Sequence, residues 1–127
     1  MIHITATIKG ERDLPPFTRV FEYGTGDEEI FFSSAAMIHE KLRRRMKINV
    51  NEALIVYCEY LAKAIRAGKK DSTLQEEGTK ILSADNVMIG VPETLRAITF
   101  EARIDSLHAR KIKFNKPIPS GKYALTS

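Results

Sequence analysis

Between Val91 and Ala97 the hydrophobic period of this chain changes from about 3.6 residues to about two, and no other feature restricts its fold so strongly. Ahead of the switch, Phe31, Ala35, Ile38 and Leu42 recur at spacings of 4, 3 and 4, which is one face of a helix. Asp27 stands where the N-cap belongs, and Glu28 and Glu29 fill the first turn. Lys41, Arg43, Arg44, Arg45 and Lys47 gather at the other end, so the charges complement the helix dipole. Asn49-Val50-Asn51-Glu52 has the form of a capping box and opens a second helix. Its buried stripe is Leu54, Tyr57, Leu61 and Ile65, broadened by Ala53, Val56, Tyr60 and Ala64, with Glu59 and Lys63 paired on the wet face. Gly68 is the stop. Ser72-Thr73-Leu74-Gln75 predicts a short third helix through Lys80, and Ser83 caps a short fourth that ends at Gly90.

After the switch, Ile98, Phe100, Ala102 and Ile104 alternate with Thr99, Glu101 and Arg103, a strand with one wet face. Ile112 and Phe114 alternate with Lys111 and Lys113 on a second strand, and Asp105–Ala109 has the length of a hairpin loop. Residues 1–26 read as extended. Ile2, Ile4, Ala6 and Ile8 alternate with His3, Thr5 and Thr7, Leu14-Pro15-Pro16 breaks regular structure, and Arg19–Tyr23 leads to the Gly24-Thr25-Gly26 loop. The fold expected is therefore α+β: a bundle of about four helices with a C-terminal β-hairpin and an N-terminal strand-like extension.

A chain of 127 residues suits one domain, and 43% hydrophobic with 28% charged residues excludes a disordered or low-complexity scaffold. No apolar run reaches the ~20 residues of a membrane span. The start, Met1 to Ile8, lacks the charged and long apolar regions of a secretory signal, so a cytoplasmic protein is expected. The single cysteine, Cys58, cannot form an intrachain disulfide, in keeping with a reducing compartment. The net charge of +4 hints only weakly at an anionic partner.

Catalytic patterns are missing. His3, His39 and His108 are far apart, His39-Glu40 lacks the second histidine of a zinc helix, and no Cys/His pair has metal-ligand spacing. Cys58 sits mid-helix as a small core residue, and Gly24 and Gly26 form no phosphate loop. Five bases in the seven residues from Lys41 to Lys47 could follow a nucleic-acid backbone, but no aromatic residues interleave with them. A solvated helix end, or a docking surface for an acidic protein patch, accounts for the run better than nucleic acid does.

Read as a unit, residues 31–118 resemble the small gamma subunit of urease. The resemblance rests on Lys47-Ile48-Asn49 with Glu52, then Gly68-Lys69, then Leu74 with Glu76-Glu77-Gly78. It continues through Ile81-Leu82-Ser83, Val87-Met88-Ile89-Gly90-Val91-Pro92-Glu93 and Asn115-Lys116-Pro117-Ile118. It implies a noncatalytic structural subunit that packs on alpha and helps build a trimer of alpha-beta-gamma units. It also implies that urea is hydrolysed to ammonia and carbamate at a two-nickel centre in the alpha subunit. Under this reading no catalytic, cofactor or metal residue belongs to this chain, and the candidate subunit interface is Arg43, Arg44, Arg45, Val91, Pro92 and Glu93.

Three departures stand out. Residues 1–30 replace a short leader, Asp105-Ser106-Leu107-His108 replaces a proline-aspartate-glycine turn, and Asn51 stands where a helix-starting proline is usual. The chain is thus expected to comprise the extension 1–30, the gamma-like domain 31–118 and a flexible tail 119–127. The alternative is a free-standing gamma-like module that binds an acidic ligand or itself.

Overall fold

A computed structural model describes residues 1–10, 15–105 and 108–119. Four strands, β1 (Ile2–Lys9), β2 (Phe17–Tyr23), β3 (Ala97–Ile104) and β4 (Arg110–Asn115), flank the helices α1 (Glu28–Arg43), α2 (Val50–Arg66), α3 (Asp71–Gly78) and α4 (Val91–Thr94). The α+β class and the C-terminal strand pair are as the sequence predicts. The sheet, however, has four antiparallel strands in the order β2-β1-β3-β4, so the hairpin is only half of it.

β1 lies at the centre. It pairs with β2 on one side and along β3 on the other, from Ile2 opposite Ile104 to Lys9 opposite Ala97. Its alternation sets Ile2, Ile4, Ala6 and Ile8 wholly inside, against Ile98, Phe100, Ala102 and Ile104 of β3, while His3, Thr5 and Thr7 line the wetter opposite face. The apolar face continues through Ile112 and Phe114, and one core cluster joins all of these to α1 and α2. At ~25 cal/mol per Å² of apolar surface removed from water, this shared burial is the main force holding the helices to the sheet.

α2 is the central helix, because it packs against the sheet on one side and α1 on the other. Ten of its residues are buried for that reason. Its capping box is formed, with the Asn49 side chain accepting from the Glu52 N–H and the Glu52 carboxylate accepting from the Asn49 N–H. It ends in a Schellman motif: Gly68, at φ +78°, donates to Ile65 O and Lys69 to Ala64 O. The packing of α1 overturns the wet position expected for Glu59, which is only 7% exposed.

The shorter helices begin elsewhere than expected. α3 starts at Asp71 with Lys70 as N-cap, ahead of the Ser72–Gln75 pattern, and it ends at Gly78. There Asp71 faces the positive end of the helix and accepts from Arg110. Ser83 does cap a turn, but that turn is a 3-10 segment, Ala84–Asn86, after which Val87 extends to bridge Ile48. Gly90, at φ +93°, precedes α4 instead of ending a helix, and Pro92 follows inside the first turn, where its missing N–H costs nothing. Leu14, most of the expected tail 119–127 and the centre of the Asp105–Ala109 loop lie outside the described residues.

Candidate functional site

The groups with reactive chemistry are dispersed or sequestered. Among the described residues, no three His, Cys, Asp or Glu side chains gather where they could hold a metal ion. Cys58 is wholly buried, and desolvation pushes its thiol far up, so it stays protonated and inert. His39 Nε2 lies 2.7 Å from Glu59 Oε1, and Lys63 Nζ reaches the other oxygen at 3.4 Å, so this buried carboxylate is engaged by side chains of both α1 and α2. The Tyr60 hydroxyl donates to Glu77 at 2.6 Å and Lys69 to the same carboxylate at 2.8 Å, an arrangement that ties α3 to α2. These bonds hold Glu77 below its usual range. These contacts join α1 to α2, or α3 to α2 and to the connection between them.

The basic end of α1 is built differently. Arg45 adopts φ +59° and donates to Leu42 O while Met46 donates to Lys41 O, a Schellman ending made without glycine. Glu40 pairs with both Arg43 and Arg44, whose side chains remain 76% and 72% exposed. Lys41 turns away to Glu52. Burial works against the charge of that carboxyl, but Lys41 and the Asn49 N–H outweigh it and hold Glu52 below its ordinary range. Lys47 donates to Asp85 O at 3.0 Å. The expected basic run is thus split: Lys41 and Lys47 fasten the next elements, and the three arginines face water.

The second expected segment lies on the same side of the fold. Ile48 donates to Asn86 O at 3.0 Å and accepts from Met88 at 2.9 Å, which fastens the α1–α2 connection to the extended segment leading into α4. Val91 and Pro92 are buried within this chain and Glu93 is partly exposed, so the first two shape the surface from beneath. Above them runs a groove of about 520 Å³, lined by Phe17, Arg19, Val50, Met88, Ile89 and Val91. Ile89 is 96% exposed and Met88 46%, with Phe17 of the edge strand β2 at 38%. Exposed apolar groups so close together make the groove a candidate docking surface. Phe17, Met88 and Ile89 are candidate docking residues that periodicity misses. For Met88 and Ile89 the sequence does carry a signal, two large apolar residues directly before a glycine outside any amphipathic pattern.

Residues 25–116 match the family model described as urease, gamma subunit. The chain is similar to the urease subunit gamma of Halalkalibacterium halodurans, 36% identical over 76 residues that make up 59% of this chain and 76% of the relative. It is similar also to the urease subunit gamma of Prochlorococcus marinus, 34% identical over 76 residues, or 60% of this chain and 76% of that one. Both β1 and β2 precede the stretch matched by the family.

Proposed function

The chain belongs to the urease gamma-subunit family, and we propose that it serves as the noncatalytic structural subunit of a nickel-dependent urease complex. The observation that carries the proposal is the family match, which extends from the turn before α1 to just past β4. In the proposed complex, urea and water give ammonia and carbamate in a partner alpha subunit, which holds the nickel. This chain contributes surface. The groove between Phe17 and Ile89 receives apolar side chains from a beta or alpha chain, and Arg43, Arg44 and Arg45 steer the encounter. A cytoplasmic setting and a threefold arrangement of alpha-beta-gamma units belong to the same proposal.

An affinity pull-down of this chain from its native extract tests it, with the bound proteins identified by mass spectrometry and the eluate assayed for nickel and urea hydrolysis. Recovery of a large nickel-bearing partner with activity is the expected result. A chain that emerges alone, monodisperse and without metal or activity, favours the second reading, a free-standing module. One observation speaks for that reading: β1 and β2 lie outside the matched stretch and complete the sheet in cis.

A further inference from the structure

β2 is the outermost strand on one side of the sheet, and among the described residues its one strand neighbour is β1. The other side of β2 presents backbone N–H and C=O groups to which a further strand can pair. Its seven residues, Phe17-Thr18-Arg19-Val20-Phe21-Glu22-Tyr23, include no lysine, proline or glycine, the usual protections of an exposed edge. Five of them are the β-branched and aromatic types that strands favour. Val20 is 57% exposed on the face that it shares with Thr5, and Phe17 is 38% exposed on the face that it shares with Ile8.

The opposite edge is unlike it. α3 packs on β4, Gln75 donates to Lys113 O at 3.3 Å, and Lys111 and Lys113 follow Arg110 along the strand. Two such edges brought together would set base against base. β2 carries one base and one acid, Arg19 and Glu22, so like charges meet across a pair of β2 strands only in particular registers.

Two copies related by a two-fold axis normal to the sheet pair antiparallel, and each residue then faces one on the same side of the sheet. The residue on the axis fixes the register. Val20 is the midpoint of β2, and with Val20 on the axis the whole strand is paired. Phe17 then faces Tyr23 of the second copy, Thr18 faces Glu22, Arg19 faces Phe21, and the two Val20 side chains face each other. On the helix side this sets an aromatic pair at either end and a guanidinium beside a ring, and on the other side it covers the exposed valine with its own counterpart. The neighbouring registers are poorer. Arg19 on the axis opposes two guanidinium groups, Glu22 on the axis opposes two carboxylates, and Phe21 on the axis leaves Phe17 and Thr18 with no residue opposite.

We propose that β2 is a self-association edge, at which two copies of this chain pair antiparallel about a two-fold axis at Val20. The inference goes beyond the subunit reading and does not rest on it. Each copy offers one such edge, so the assembly closes at two, with a β4 strand at either margin of the joined sheet.

Sedimentation velocity on the full chain over a wide range of concentration should show a reversible change from the mass of one chain to that of two. Val20→Lys sets like charges face to face on the axis and should leave single chains throughout, with circular dichroism unchanged because Val20 lies outside the core cluster. Cross-linking reads the register. Val20→Cys places two thiols on Cβ atoms about 5 Å apart, so a bifunctional thiol reagent with a span of about 8 Å should join two chains. Thr18→Cys should not be joined, since its counterpart lies about 13 Å along the strands. A mixture of Thr18→Cys with Glu22→Cys should be joined, because those positions face each other. Cys58 is wholly buried and does not compete for the reagent.

A single chain at every concentration overturns the proposal, as does a Val20→Lys variant that still dimerises or growth beyond two chains. Cross-linking of Thr18→Cys as efficient as that of Val20→Cys overturns the register. The subunit reading fails separately, in the pull-down. If wild type sediments as one chain yet recovers a nickel-bearing partner, the self-association edge falls and the subunit reading stands. If Val20→Lys then loses that partner, the edge takes a strand of another protein instead of a second copy. If wild type recovers no partner, the subunit reading falls while sedimentation and cross-linking still decide the edge.

Discussion

Gly78 closes α3 directly over the ring of Phe114, and a Cβ there would come within 2.4 Å of the ring edge. Phe114 cannot retreat, since it is wholly buried and packs edge-on to both Tyr57 and Phe100. Gly78→Ala should therefore lower the free energy of unfolding by about 1–3 kcal/mol, read from the urea midpoint at constant m-value. This gives a physical reason for the glycine in the Glu76-Glu77-Gly78 motif, just as the two hydrogen bonds that Glu77 accepts from Tyr60 and Lys69 give one for the acid before it. Arg45 presents the opposite case. Its left-handed backbone is strained by about 1–2 kcal/mol, and Arg45→Gly should recover about 1 kcal/mol in thermal or urea unfolding. If the arginine is retained for docking, the same variant should recover less partner in the pull-down and lose its salt dependence. A variant that is neither more stable nor weaker in docking contradicts both roles.

Single residues also tie elements together, as they do at the end of the sheet where β1 begins and β3 stops. Arg66 at the end of α2 donates to Glu28 of α1 at 2.8 Å and to both oxygens of Asp105, just past β3, at 3.0 and 2.9 Å. The Arg66 guanidinium, aided by the Met1 amine, pulls the Asp105 carboxyl from an ordinary 3.8 to about 2, and the same two groups hold Glu28 below its usual range. A carboxylate whose pKa is lower in the folded state stabilises the fold above its unfolded pKa, and that contribution vanishes as pH falls through the folded value. The melting temperature should accordingly drop as pH is lowered from about 4 to about 2, and Asp105→Asn should flatten the slope in that window. Asparagine is the right probe because it tolerates the φ of +58° at this position. An unchanged slope in the variant would show that the knot adds nothing at low pH. Elements such as α1 and α2 were legible in the sequence because caps, periodicity and dipole charges act over a few residues and agree with one another. The start of α4 was not. Gly90 reads as a stop by composition, but the backbone bonds of Ile48 to Asn86 and Met88 hold Val87 extended, and the chain can turn into α4 only beyond them.

At the scale of the whole molecule the same contrast between local and distant information decides what could be foreseen. The alternation from Ile2 to Ile8 announces a strand with one apolar face, but nothing near it in sequence says that its neighbours are β2 and, far along the chain, β3. Nor does periodicity show the apolar groove, since Phe17, Met88 and Ile89 come from an edge strand and a connection that meet only in the folded state. The central place of β1 means that the extension is mechanically part of the region the family match covers, because Ile2, Ile4 and Ile8 share one buried cluster with Leu54, Tyr57 and Leu61. Ile4→Ala and Leu61→Ala should then each cost about 2–5 kcal/mol, and each should leave one cooperative transition, with tertiary and secondary probes coinciding. Native-state hydrogen exchange sharpens the expectation, since amides of β1 should open with the same free energy as those of β3 and α2. If β1 exchanged at a much lower free energy, or if Ile4→Ala produced two transitions, the first strand would be a detachable cover on a self-sufficient helical core. Against that outcome stands the geometry: without β1, the long edge of β3 and an apolar surface now sealed by three isoleucines would face water together, a combination that folded chains avoid by pairing or association.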